Sequence, residues 1–145
     1  MRRLLTALVA ITLGITIALA AATPAQAFGS ETLGCRIAPG TQFNWYPACN
    51  NDTGFAYTYN VGFLVQNTSG SGYSYTWSIT GQHGAVITGC TSTSNVCAVY
   101  ATRRAGSYDI TATVTVTQGG QSGTLYSIAT IDPWCYDQEI GYYLC

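Results

Sequence analysis

Tyr73-Ser-Tyr-Thr-Trp77-Ser-Ile79 and Tyr108-Asp-Ile-Thr-Ala-Thr-Val-Thr-Val116 decide the fold of this chain. In the first, Tyr73, Tyr75, Trp77 and Ile79 fall on one side and the hydroxyls of Ser74, Thr76 and Ser78 on the other. In the second, Tyr108, Ile110, Ala112, Val114 and Val116 alternate with Asp109 and a series of threonines. Alternation with period 2 specifies a strand with one dry face and one wet face. β-branched threonine suits the wet face of a pleated sheet.

Working outward, Phe55–Val65 alternates in the same way and places Phe55, Tyr57, Tyr59, Val61, Phe63 and Val65 on one inward face. Asn67 to Gly72 is a connector of turn formers. Gly81-Gln82-His83-Gly84 predicts a hairpin turn, followed by a short strand from Ala85. Further strands are expected over Val96–Ala101 and Ser122–Ile131, the latter after a turn at Gln118-Gly119-Gly120-Gln121. Asp132-Pro133 ends the last strand. Residues 28–54 are rich in Gly, Pro and Asn and have room for one short strand. No segment beyond the N-terminal leader has helical periodicity. Short strands at this spacing predict an all-β, two-sheet antiparallel sandwich.

The leader is distinct from the fold. Arg2-Arg3 precede an apolar run from Leu4 to Ala22, and Thr23-Pro24 and Ala25-Gln26-Ala27 follow. This is the pattern of a secretory signal peptide, residues 1–27, cleaved after Ala27. It leaves one domain, residues 28–145, in a chain of 145 residues. Removal of Arg2 and Arg3 leaves Arg36, Arg103 and Arg104 against 6 carboxylates, a net charge of −3, with no lysine. Such a surface argues against nucleic acid and against an anionic membrane as partners of the mature form.

The 6 cysteines all follow the leader: Cys35, Cys49, Cys90, Cys97, Cys135 and Cys145. An even number in a small secreted domain predicts three disulfides, and no C-x2-C pair offers a zinc site. Six cysteines allow 15 connectivities. Turn formers between Cys90 and Cys97 favour that pair, and spacing favours neighbours elsewhere, with a bridge between the two ends, such as Cys35 to Cys135, as the alternative.

Tyr75-Thr-Trp77-Ser-Ile79-Thr-Gly81, the short strands after it, and Ala105-Gly106-Ser107-Tyr108 opening the long strand resemble bacterial extracellular immunoglobulin-like domains of the PKD kind. The resemblance covers residues 55–131. It implies an immunoglobulin-like sandwich with the Trp77 strand and the Tyr108 strand side by side. No cysteine lies in either expected strand 55–65 or 108–116, unlike antibody domains. Domains of this kind serve adhesion, spacing and binding, so the resemblance implies fold more than function.

No catalytic constellation stands out. His83 is the sole histidine and sits in a turn; no G-x-S-x-G is present. Asp132, Asp137 and Glu139 cluster without a calcium-loop spacing. No metal or cofactor is expected. Arg103-Arg104 reads as solvated loop charge, with a protease-recognition or inhibitor loop as the sharper reading. Asn51-Asp-Thr53 and Asn67-Thr-Ser69 match the N-glycosylation pattern. The candidate ligand-facing residues are the aromatics in the cysteine-bearing ends: Trp45, Tyr46, Trp134, Tyr136, Tyr142 and Tyr143. Tyr and Trp give large contact area at low entropic cost. The expectation is a secreted, non-enzymatic binding or adhesion module for an extracellular protein or polysaccharide. A secreted inhibitor or toxin-like effector is the alternative, and a carbohydrate-binding domain a further one.

Overall fold

The computed structural model describes residues 28–40, 42–52 and 55–145. The expected signal peptide lies outside them. The strands are β1 Thr32–Ala38, β2 Ala48–Asn50, β3 Thr58–Gln66, β4 Ser74–Gly81, β5 Val86–Gly89, β6 Val96–Thr102, β7 Tyr108–Gln118, β8 Gln121–Ile131, β9 Trp134–Asp137 and β10 Gly141–Leu144. One sheet has the order β1-β3-β6-β5 and the other β2-β8-β7-β4, while β9 and β10 form a separate hairpin. This is an all-β immunoglobulin-like sandwich, antiparallel except where β2 runs parallel to β8.

The alternation in the sequence becomes the core. Tyr59, Val61, Phe63 and Val65 of β3 are buried, as are Ile110, Ala112, Val114 and Val116 of β7. Trp77 and Tyr108 pack against this cluster while partly buried. Each reaches from one sheet to main chain of the other, Trp77 to the β5–β6 connection and Tyr108 to the end of β6. Trp77 Nε1–H donates to the Ser94 carbonyl at 2.9 Å, and the Tyr108 hydroxyl donates to the Thr102 carbonyl at 2.6 Å. The second bond is the tyrosine corner of sandwich domains, tying the start of β7 to the chain leaving β6. Gly119 and Gly120, both at positive φ, make the two-residue turn between β7 and β8.

Three expectations are corrected. The N-terminal region holds a full seven-residue strand, β1, which contributes Leu33, Cys35 and Ile37 to the core. Its alternation is blurred in the sequence because Gly34 stands at an outward position. Gly81–Gly84 is not a hairpin turn: β4 and β5 lie in different sheets, and Gly81, at φ 94°, starts a crossing between layers. Finally, Tyr57 does not continue the inward face of β3. The strand begins at Thr58, and Tyr57 is 65% exposed.

The disulfides join Cys35–Cys49, Cys90–Cys97 and Cys135–Cys145. The first spans the two sheets, from β1 to β2, where the chain changes layer. The second closes the β5–β6 connection, and the third closes the β9–β10 hairpin. Beside the first, Ser127 Oγ donates to the Pro47 carbonyl at 2.9 Å and holds the short parallel strand in place.

Candidate functional site

The β9–β10 hairpin has two unlike faces. Tyr142 pairs with Tyr136 and Leu144 with Trp134, so these four side chains share one face. Cys135 and Tyr143 pair on the other face. The Cys135–Cys145 bridge therefore fixes the hairpin without occupying its aromatic side. Asp137 accepts N–H bonds from Glu139 at 2.8 Å and Ile140 at 3.4 Å, which folds the turn between the strands.

Phe55 is the hub onto which that aromatic face packs. Its ring stacks on Tyr142 at 3.9 Å between centroids and 15° between planes. Trp134 meets it edge-on at 5.9 Å, and Tyr57 edge-on at 5.5 Å. Tyr136 adds to Tyr142 at 5.0 Å with a 56° tilt. The Arg103 guanidinium lies over both Phe55, at 5.0 Å, and Tyr57, at 4.9 Å. The Arg103 main chain is tied to the same place, donating its N–H to the Tyr57 carbonyl at 3.0 Å. Arg104 lies over Tyr108 at 5.6 Å. The result is one continuous patch in which Tyr136 remains 64% exposed and Tyr142 48% exposed. Alongside it runs a cleft of about 420 Å³ lined by Arg103, Arg104, Pro133, Trp134 and Cys145, among others. The indole N–H of Trp134 is buried and has no hydrogen-bond partner.

Of the six candidate aromatics, the structure brings together Trp134, Tyr136 and Tyr142. Tyr143 lies on the opposite face of the hairpin, exposed. Trp45 and Tyr46 belong to another part of the surface. Trp45 lies on the outer side of the first sheet, where Gly34 and Gly62 leave room for it, and the Arg36 guanidinium sits over its ring at 4.9 Å. Tyr46 bridges to Cys35 along the free edge of β1. Phe55 and Tyr57 are not among the ligand-facing residues expected from the sequence, and Arg103 is expected only as loop charge or as part of an inhibitor loop. Phe55 and Tyr57 continue the alternation of β3 in phase, which assigns them to the core. Arg103 reads as solvated charge because nothing local marks its aromatic partners.

The other sequence features are accounted for locally. His83 is exposed, with Nδ1 at 2.8 Å from the Gly84 carbonyl. Asp132 accepts from the Ser107 hydroxyl at 2.7 Å. Among the described residues, no three His, Cys, Asp or Glu side chains converge as a metal site, and no helix is long and apolar enough to cross a membrane. Asn51, in the first glycosylation pattern, is 1% exposed, whereas Asn67 is exposed.

The clearest electrostatic perturbation lies away from the patch. The buried Glu31 carboxylate accepts from the Gly29 N–H at 2.7 Å and from the Tyr73 hydroxyl at 2.9 Å. Burial pushes its pKa up, but hydrogen bonds from Gly29, its own N–H and Tyr73 outweigh this and hold it below the ordinary value. Tyr73, Tyr75 and Tyr108 are all raised, first by burial; for Tyr73 the bond to Glu31 adds to it.

Comparison with known proteins places the chain beside none of them: no family model, no curated protein and no solved structure matches it.

Proposed function

We propose that this protein is a secreted, non-enzymatic immunoglobulin-like binding module that engages an extracellular protein through the patch built on Phe55. The observation that carries the reading is that the disulfide-closed hairpin brings exposed Tyr142, with Tyr136 beside it, onto Phe55, whose ring also meets exposed Tyr57 beneath Arg103. Tyr, Trp and Arg dominate the energetics of protein interfaces, and rings locked before contact lose little entropy on binding. The three disulfides fit an oxidising compartment, which supports secretion. The PKD-like resemblance belongs to the same reading, since domains of that kind bind and adhere. Trp77 and Tyr108, each bonded from one sheet to main chain of the other, are compatible with it.

Polysaccharide binding receives less support. Stacking on sugar rings favours several rings presented side by side in one plane. Here Phe55 and Tyr142 lie face to face, and Tyr136 is tilted away from Tyr142. An inhibitor loop at Arg103-Arg104 also receives less support, because both guanidinium groups are held over rings of the same molecule.

The test is capture by the oxidised protein from three pools: secreted proteins including proteases, cell-wall material, and soluble polysaccharides. The expected result is retention of a protein that is lost when Tyr57, Tyr136 and Tyr142 are together replaced by Ser. Retention of a polysaccharide by wild type and not by this variant would replace the protein reading with the carbohydrate one.

A further inference from the structure

We propose that the cleft between Arg103, Arg104 and Trp134 receives the carboxylates of an acidic polypeptide segment on the partner. The inference rests on the binding reading above and names the chemistry that the partner presents. Mature residues 28–145 contain three cationic side chains, Arg36, Arg103 and Arg104, and two of them line this one cleft. Among the described residues neither Arg103 nor Arg104 pairs with a carboxylate, and neither side chain makes a hydrogen bond; their contacts are with rings. Placement over a ring orients a guanidinium through its face. Its edge N–H groups are then available, and these are the groups that pair bidentately with a carboxylate.

The wall of the same cleft holds an unspent donor. Trp134 lines it, and its indole N–H is buried without an acceptor. Buried donors are nearly always paired, so an orphan N–H on a residue that lines a cleft marks a place where an acceptor is wanted. Two guanidinium forks without a carboxylate side-chain partner and one orphan N–H make the cleft rich in donors. The rest of the protein is acidic. Outside the cleft the carboxylates outnumber the one remaining cation, Arg36, so a negatively charged segment is drawn preferentially here, which gives the encounter an orientation. The exposed rings of Tyr136 and Tyr142 lie next to the cleft and supply the apolar contact that a carboxylate alone lacks.

The probe is a blocked hexaglutamate peptide, titrated into the oxidised, isotope-labelled protein at low and at high salt. The expected result is a saturable movement of the Trp134 indole N–H resonance that weakens as salt rises. Arg103→Gln and Arg104→Gln should each weaken binding about tenfold, while Arg36→Gln, on a distant face, leaves it unchanged. Arg103→Lys should fall between, because it keeps the charge and loses the fork. Unchanged thermal midpoints would show that the variants remain folded. Equal weakening by Arg36→Gln, or the same shifts from a blocked hexaglutamine peptide, would overturn the proposal. Binding of a sulfated polysaccharide in place of hexaglutamate would overturn it in favour of a glycan. Failure here, with capture of a protein partner still lost in the triple Ser variant, would leave the patch reading intact and remove only the acidic chemistry.

Discussion

The side chain of Asn51 is hydrogen-bonded at both of its ends to the main chain of Asp132. Its amide donates to the Asp132 carbonyl at 3.1 Å, and its oxygen accepts from the Asp132 N–H at 2.7 Å. The amide thus continues the ladder between β2 and β8 by one more rung, from a position fully buried. Replacing Asn51 by Ala leaves both main-chain groups unpaired, and we expect a loss of about 2–4 kcal/mol. Chemical denaturation measures it. A change near zero would mean that water takes over the two bonds.

The same burial separates the two glycosylation patterns. Expressed through a eukaryotic secretory pathway, the protein should carry glycan at Asn67 and none at Asn51, as read by peptide mass mapping after glycosidase treatment. Glycan at Asn51 would contradict its buried position.

The disulfides should divide by function. Cys35–Cys49 joins the two layers of the sandwich, and its replacement by a Ser pair should cost about 2–4 kcal/mol of global stability. Cys135–Cys145 closes a hairpin that pairs with neither sheet. Its Ser pair should leave the global transition within about 0.5 kcal/mol while hydrogen exchange over Trp134–Leu144 accelerates sharply. A large global loss from the second pair would show that the hairpin is part of the cooperative unit.

Stability should fall at both ends of the pH range, for two different reasons. Glu31 is held below its ordinary value of 4.5, so its contribution is present above that value and disappears as pH drops through the folded one. Tyr73, Tyr75 and Tyr108 are raised above 10.0, so theirs is present below that value and disappears as pH rises through the folded values. Glu31→Gln should flatten the acid limb of a denaturation-versus-pH curve, and Tyr73→Phe should weaken the acid limb and the alkaline limb together. An acid limb unchanged in Glu31→Gln would place the acid sensitivity elsewhere.

Gly34 has a steric role. A Cβ there would sit 2.7 Å from the Cβ of Trp45, closer than unbonded carbons approach. Gly34→Ala should displace Trp45 and cost about 1–3 kcal/mol, with a shift in tryptophan emission. Gly106→Ala, where nothing lies within 4 Å, is the matched control and should do neither.

The sandwich was legible where a strand is half wet. β4, β7 and β8 expose one face to water, so the alternation of Thr with Ile and Val writes the sheet directly into the sequence. β1 was harder to read because Gly34 makes room for Trp45, and a strand that accommodates a side chain from outside loses its polar–apolar contrast. The crossing after Gly81 looked like a hairpin because glycines permit a turn without saying which sheet the next strand joins. The aromatic ends were legible as candidates, since Trp134, Tyr136 and Tyr142 stand outside every core pattern. Their centre was not. Phe55 and Tyr57 keep the phase of β3, and only the start of pairing at Thr58 separates them from it. Arg103 could not be assigned either, because its partners are rings nearly fifty residues earlier in the chain.

The parallel pairing of β2 with β8 has a mechanical consequence. Tension applied between the two ends of the domain would load the β2–β8 rungs, and the Asn51–Asp132 bonds with them, in shear, so that they resist together instead of opening one by one. The Cys35–Cys49 bridge shortens the path of that force. It passes from β1 to β2 through sulfur, and the loop between the two cysteines, Trp45 included, stays slack. A domain under load would keep its length without releasing that stretch of chain.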